Sequence, residues 1–119
     1  MKEIEIYKVV RPYNRQLHSA YSGRLGIPYT HLRYRVGRWI RPKVGSGPLA
    51  AFQTIEQARV FRDKDLFCEL VIYRARAVRS RSRSLWYIKT VALYGRFLAH
   101  QEYPGTVYCD KIKLLGRVV

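Results

Sequence analysis

Thr54-Ile55-Glu56-Gln57-Ala58-Arg59-Val60-Phe61 is the stretch of this chain that reads as a helix on several grounds at once. Thr54 and Gln57 fit the capping box, in which the threonine hydroxyl accepts from the amide three residues on and the glutamine side chain reaches back. Ile55, Ala58 and Phe61, with Val60, recur at helical spacing and form one apolar face. Glu56 stands where the N-terminal end of the helix dipole favours negative charge. The pattern stops near Asp63-Lys64-Asp65, so the sequence predicts a helix over 55–63.

What flanks this helix reads as strand. Ile4 to Arg11 is β-branched and aromatic and ends at Pro12. Pro12-Tyr13-Asn14-Arg15 is a turn, because proline presets φ and asparagine tolerates the left-handed region, and 16–21 returns as a hairpin partner. Ser22 to Pro28 is a loop by its Gly and Pro content. Leu32, Tyr34 and Val36 alternate with Arg33 and Arg35, the period of a half-buried strand. The phase slips at Gly37, where Trp39 takes over the apolar side; a bulge at Gly37 accounts for the slip and lets the strand run on to Pro42. Lys43 to Pro48 is a flexible connection. After the helix, Cys68 to Val78 is a long strand, and the Arg-Ser alternation from Arg79 to Ser84 is a loop or a fraying hairpin tip. Leu85 to Tyr94 reads as strand, Tyr103-Pro104-Gly105 as a turn, and Thr106 to Leu115 as a closing strand. The expectation is a single domain over 1–119 of α+β class. It has an antiparallel-dominated twisted sheet of about five to six strands and one clear helix.

Charge is the compositional outlier. The 119 residues carry 23 Lys+Arg against 8 Asp+Glu, a formal net charge of +15. Arginine outnumbers lysine 16 to 7, which favours sites where a planar fork grips phosphate or stacks on a ring. No acidic residue falls between Glu5 and Glu56, or between Glu69 and Glu102, whereas the helix region is nearly balanced. No apolar run approaches the roughly 18 residues of a membrane span, and the first residues lack a signal-peptide hydrophobic region. The expected setting is therefore cytoplasmic, in a bacterial cell or an infected host cell, with no membrane partner.

The candidate anion- or nucleic-acid-binding residues are Arg33, Arg35 and Arg38, Arg74 and Arg76, and Arg79, Arg81 and Arg83. Residues two apart on a strand share a face, so adjacent strands bearing Arg33/Arg35 and Arg74/Arg76 bring four guanidinium groups together. Like charges placed opposite one another call for an anion between them. Arg79, Arg81 and Arg83 at a tip suit a phosphate backbone. Tyr34, Trp39 and Trp86 are candidates for base stacking. The plainer alternative has the aromatics in the core and the arginines facing water on separate strands.

Material for catalysis is thin. Gly45-Ser46-Gly47-Pro48 lacks the pattern of a phosphate loop. His18, His31 and His100 show no metal-ligand spacing, and Cys68 and Cys109 fit buried structural thiols within strands. No metal, no cofactor and no enzymatic activity are expected.

Two resemblances add to this reading. Tyr7-Lys8-Val9-Val10-Arg11, Ser19-Ala20 and Tyr34-x-Val36-Gly37-x-Trp39-x-x-Pro42 are followed by Gly45-x-Gly47-Pro48-Leu49, by Phe52-x-Thr54-x-Glu56-x-Ala58-x-x-Phe61, and by Lys111-x-Lys113-Leu114-Leu115. This order resembles small bacterial and tailed-phage domains that carry no assigned activity, and implies their fold and setting. Arg11, Ser19 and Glu102 also resemble the Arg-Ser-Glu arrangement of ADP-ribosyltransferase-like proteins. That likeness implies that Arg11 holds a dinucleotide phosphate, Ser19 orders the site and Glu102 polarises the ribose. The chain departs from it in reading Ser19-Ala20-Tyr21-Ser22 and in placing His at 100.

The leading expectation is an Arg-rich, phage- or mobile-element-encoded accessory protein that binds nucleic acid, or another phosphate-bearing ligand, through phosphate contacts. The alternatives are a pocketed binder that sequesters a small nucleotide or cyclic nucleotide, and the transferase-like enzyme. A protein partner with an acidic surface also fits the charge.

Overall fold

A computed structural model describes residues 2–20, 32–43, 46–64, 69–89, 92–97, 101 and 103–118. The expected helix is present as α1 (Ile55–Asp63), and both halves of its capping box form. The Gln57 amide donates to Thr54 Oγ1 at 3.3 Å, and the Thr54 amide donates to Gln57 Oε1 at 3.1 Å.

Around α1 the chain builds a seven-stranded sheet from β1 (Glu3–Tyr13), β2 (Gln16–Ser19), β3 (Arg33–Tyr34), β4 (Trp39–Ile40), β6 (Leu49–Phe52), β7 (Val71–Arg79) and β10 (Thr106–Val118). A separate three-stranded sheet joins β5 (Ser46–Gly47), β8 (Leu85–Lys89) and β9 (Ala92–Phe97) in the order β5–β8–β9. All pairings are antiparallel. The α+β class is as expected, with more strands than the five to six anticipated.

The larger sheet closes on itself. β1 pairs with β7 along Glu3–Val10 and with β6 at Tyr7↔Phe52, while β10 pairs with both β7 and β6. The alternation of β1 decides what goes inside this ring. Ile6 and Val10 join Ala75, Ala77, Ile112 and Leu114 in one buried cluster. Tyr7 and Val9 point the other way, with Ile72, towards Phe61 and Ala58 of α1. Hence the sheet has an inner face around its own core and an outer face that α1 partly covers.

Three readings of the sequence need correction. Residues 32–40 are not one bulged strand. Gly37, at φ +82°, sits third in a turn where the Arg38 amide donates to Arg35 O at 3.2 Å, as a type II turn requires. The turn separates β3, on β2, from β4, on β10. Leu49–Phe52, not anticipated as strand, is β6, and all four of its residues are buried. A strand covered on both faces has no alternation to reveal it. Leu85–Tyr94 is not one strand but falls in the β8–β9 hairpin. Of the two alternatives for Arg79–Ser84, residues 80–84 take the loop between β7 and β8. Its serines hold it, since the Ser80 amide donates to Tyr108 O, the Ser82 amide to Ser80 Oγ and Ser82 Oγ to Ser84 O, at 2.8 to 3.0 Å.

The turn at Tyr103-Pro104-Gly105 braces the start of α1. Gly105 has φ +87°, its carbonyl accepts from the Gln53 amide at 3.0 Å, and a Cβ there would fall about 2 Å from the Gln57 side-chain amide. Gly105→Ala is therefore expected to impose left-handed strain and to push Gln57 out of the capping box. The loss should be about 1–2 kcal/mol in urea unfolding. A change within a few tenths of a kcal/mol would show that the cap does not depend on this turn.

Lys8 interrupts the apolar side of β1 and is buried inside the ring at 2% exposure. Its ammonium donates to Ala50 O, close to the lone β1–β6 bridge, and lies 5.4 Å from the centroid of the Tyr34 ring. Burial pulls its pKa down to about 8 from 10.5, against the pull of nearby Cys109. Burial also pushes the Cys109 thiol up to about 12 from 9.0. Between pH 8 and 10.5 the unfolded chain holds the Lys8 proton more firmly than the folded one, so this group makes stability rise with pH in that window. Cys109 acts oppositely from pH 9 upward, because there the unfolded thiol ionises first. The rise should therefore be clearest between about pH 8 and 9, where Lys8 contributes about 1 kcal/mol. Urea titrations across this range check it: Lys8→Met should flatten the rise, and an equal slope in both proteins would remove Lys8 as its source.

Candidate nucleic-acid interface

The arginines singled out in the sequence fall into three places, because β3 and β7 are not neighbours. Arg74 and Arg76 point outward from β7, Arg35 and Arg38 stand in the β3–β4 turn, and Arg79, Arg81 and Arg83 run along and beyond the end of β7. All seven are exposed, and so is Arg33 on β3, which belongs to a different neighbourhood with His18. Two strands, β2 and β1, lie between β3 and β7.

What does unite part of this set is β10. Its register places Lys113 beside Arg76 on one side and beside Trp39 of β4 on the other. Lys111 and Lys113 both approach the Trp39 ring, at 4.4 and 4.9 Å from its centroid. The Gly37 amide of the arginine-bearing turn donates to Leu114 O of β10 at 2.8 Å. An outward face thus runs across β7, β10 and β4 with Arg74, Arg76, Lys113, Lys111 and a half-buried tryptophan, flanked by Arg35 and Arg38.

The balancing charge on this face is small. Arg76 reaches Glu3 at 4.0 Å with both groups well exposed, a geometry worth little in water. Among the described residues, Arg35, Arg38, Arg74, Lys111 and Lys113 have no carboxylate partner. Glu5 borders the face on β1, opposite Arg76. A groove of about 540 Å³ at its margin is lined by Glu3, Arg41, Pro42, Val78, Asp110 and Lys111. Its two carboxylates make the groove a poorer place for phosphate than the strands beside it.

The aromatic candidates separate. Trp39 stands on the cationic face. Tyr34 is 2% exposed inside the ring, its hydroxyl without a partner and its pKa raised by burial; its ring is not presented to a base. The backbone of Trp86 is opposite Gly47 on β8, and its side chain lies outside the described residues. Serines order the segment that carries Arg81 and Arg83, so these two arginines project from a tied turn.

Sequence reasoning left a second cluster unnoticed. Asn14 and Arg15, both at positive φ, make a two-residue turn that sets Arg11 opposite His18, and His18 in turn is opposite Arg33. The hairpin was legible, and its register places Arg11 opposite His18; Arg33 joins them only through the pairing of β2 with β3. The same register puts Ser19 opposite Val10, so Arg11 and Ser19 point to opposite faces of the sheet. Glu102, third member of the transferase-like resemblance, lies outside the described residues, as do His31, His100 and Cys68. Cys109 is buried, as expected of a structural thiol. Among the described residues there is no cluster of His, Cys, Asp and Glu suited to a metal ion, and no helix long and apolar enough to cross a membrane.

Comparison with protein-family models, with curated proteins and with solved structures found no match.

Proposed function

We propose that this protein is a non-enzymatic accessory protein, of the bacterial and tailed-phage kind its motifs resemble, that binds nucleic acid through phosphate contacts with little sequence reading. The observation that carries this reading is the face on β7, β10 and β4. Neighbouring strands hold Arg76, Lys113 and Trp39 side by side, with Arg74 and Lys111 next to them and few carboxylates to balance them. Cations in register repel one another, and a row of phosphates offsets that repulsion while releasing counterions. Trp39 offers an aromatic surface at the edge of the same face, suited to an unpaired base.

The direct test is purification at low salt followed by a wash at about 1 M salt, with absorbance ratio and mass read before and after. Long nucleic acid that travels with the protein and is stripped by salt is the expected result. A protein free of nucleic acid at low salt, or one that keeps only a small nucleotide through the wash, would overturn the proposal in favour of a pocketed binder.

A further inference from the structure

The row formed by Arg11, His18 and Arg33 stands apart from the β7–β10–β4 face. Along the outward side of β1, Tyr7 and Val9 pack towards α1 and separate Glu5, beside Arg76, from Arg11. Six residues of strand put these two positions about 20 Å apart. Three cation-forming side chains thus stand in line on three adjacent strands at the far end of the outer face.

Several features set this row apart from scattered surface cations. The charged groups acting on His18 are Arg11 from β1, Arg33 from β3 and Lys43 from the segment after β4. All are positive, and no carboxylate is among them. Burial first, and then these three charges, hold the imidazole below its usual range. The Arg11 Nε is buried with no hydrogen-bond partner, so this guanidinium is short of acceptors within the protein. Tyr13 completes the cluster. It is 61% exposed, its ring meets His18 edge-on at 6.4 Å between centroids, and the Arg11 guanidinium lies 5.7 Å from its centroid.

We propose that Arg11, His18 and Arg33 form a site for a phosphomonoester, the terminal phosphate of a nucleic-acid strand or of a free mononucleotide, with Tyr13 as the stacking surface for the adjoining base. A monoester carries up to two negative charges and three terminal oxygens, enough acceptors for two guanidinium forks and an imidazole. A backbone diester offers one charge and fewer free oxygens. Anion binding also reverses the balance at His18: a dianion beside the imidazole favours its protonated form, so binding takes up a proton and strengthens as pH falls from about 7.5 towards about 6.5. That window lies above the pH of about 6 at which the monoester itself takes up a proton. An exposed tyrosine next to the phosphate gives the base an aromatic face. The proposal rests on the nucleic-acid reading only for the strand as a source of the phosphate; the mononucleotide stands without it.

The test titrates the full chain with one oligonucleotide bearing a 5′-phosphate, a 3′-phosphate or hydroxyls at both ends, and with adenosine 5′-monophosphate against adenosine. Phosphorylated forms should bind about tenfold more tightly than their unphosphorylated counterparts at roughly 150 mM salt. That preference should grow about two- to threefold between about pH 7.5 and 6.5. It should disappear in Arg33→Gln, an exposed substitution that spares the core, and in Arg11→Gln. Tyr13→Ala should weaken the mononucleotide while leaving the pH response in place. Equal affinity for phosphorylated and unphosphorylated forms of both probes overturns the site, and so does a preference that survives both arginine substitutions. Three strands binding alike, with no mononucleotide preference, removes this site and keeps the nucleic-acid reading. A mononucleotide preference with no strand bound keeps the site and removes that reading.

Discussion

Affinity for a DNA duplex of about 20 base pairs should fall about 500-fold between roughly 50 and 200 mM salt, if Arg74, Arg76, Lys113, Arg35 and Arg38 supply about five phosphate contacts. Each contact contributes close to −0.9 to the slope of log K against log salt, giving about −4.5 for five, and the salt step is fourfold. Arg74→Gln/Arg76→Gln/Lys113→Gln should lower the magnitude of that slope by about 2.7 and weaken binding similarly on unrelated sequences. Net charge alone would also weaken binding, so the comparison needs a variant that loses three positive charges elsewhere. Lys2→Gln/Arg59→Gln/Arg62→Gln serves, with Arg59 and Arg62 on α1. It should leave most of the slope intact. Equal slopes in the two variants would mean that the protein attracts DNA as a cationic particle and that the β7–β10–β4 face is not its interface.

Phe61→Ala is expected to cost about 3–5 kcal/mol of unfolding free energy. Phe61 is fully buried where α1 meets the sheet, with its ring centroid 5.2 Å from that of Phe52 on β6 and 4.9 Å from that of Tyr103. Truncation leaves a cavity bounded by three elements that other contacts hold in place, so little of it can collapse. Small domains have about 5–15 kcal/mol in total, and the variant should unfold at much lower urea or lose its fold on warming. Phe61→Leu, which fills more of the space, should lose clearly less. A loss under about 1 kcal/mol for the alanine variant would show that α1 is anchored elsewhere.

The parts of the fold that were legible in the sequence are those whose signal is local. The capping box needs only Thr54 and Gln57, and the long strands β1, β7 and β10 announce themselves by β-branched and aromatic runs. What escaped depends on partners distant in sequence. Leu49–Phe52 is a strand because β10 lies along one edge and a bridge to β1 along the other. The slip of phase at Gly37 fits a bulge as well as a turn until it is known that β3 and β4 pair with different strands. For the site, exposure of the arginines was anticipated, but not which of them meet. Lys111 and Lys113 enter the cationic face only because β10 joins β7 to β4. Lys8 stands between Ile6 and Val10 on the apolar side of β1, and only the closed ring shows what it bonds there.

That ring has a consequence for how the chain reaches its native state. β7 finds one neighbour, β1, about 60 residues earlier in the chain, as Val10↔Val71 marks, and β10 must then seal the opposite edge. Little of the sheet outside the Asn14-Arg15 hairpin can form from contacts close in sequence. The barrier to folding should therefore be dominated by the entropy of closing long loops, and the approach to equilibrium should be slow for a chain of this size. Intermediates lacking β10 would leave β6 and β7 with unpaired edges while the chain carries its full positive charge. Mutual repulsion between such molecules would then oppose the edge-to-edge association that exposed strands invite.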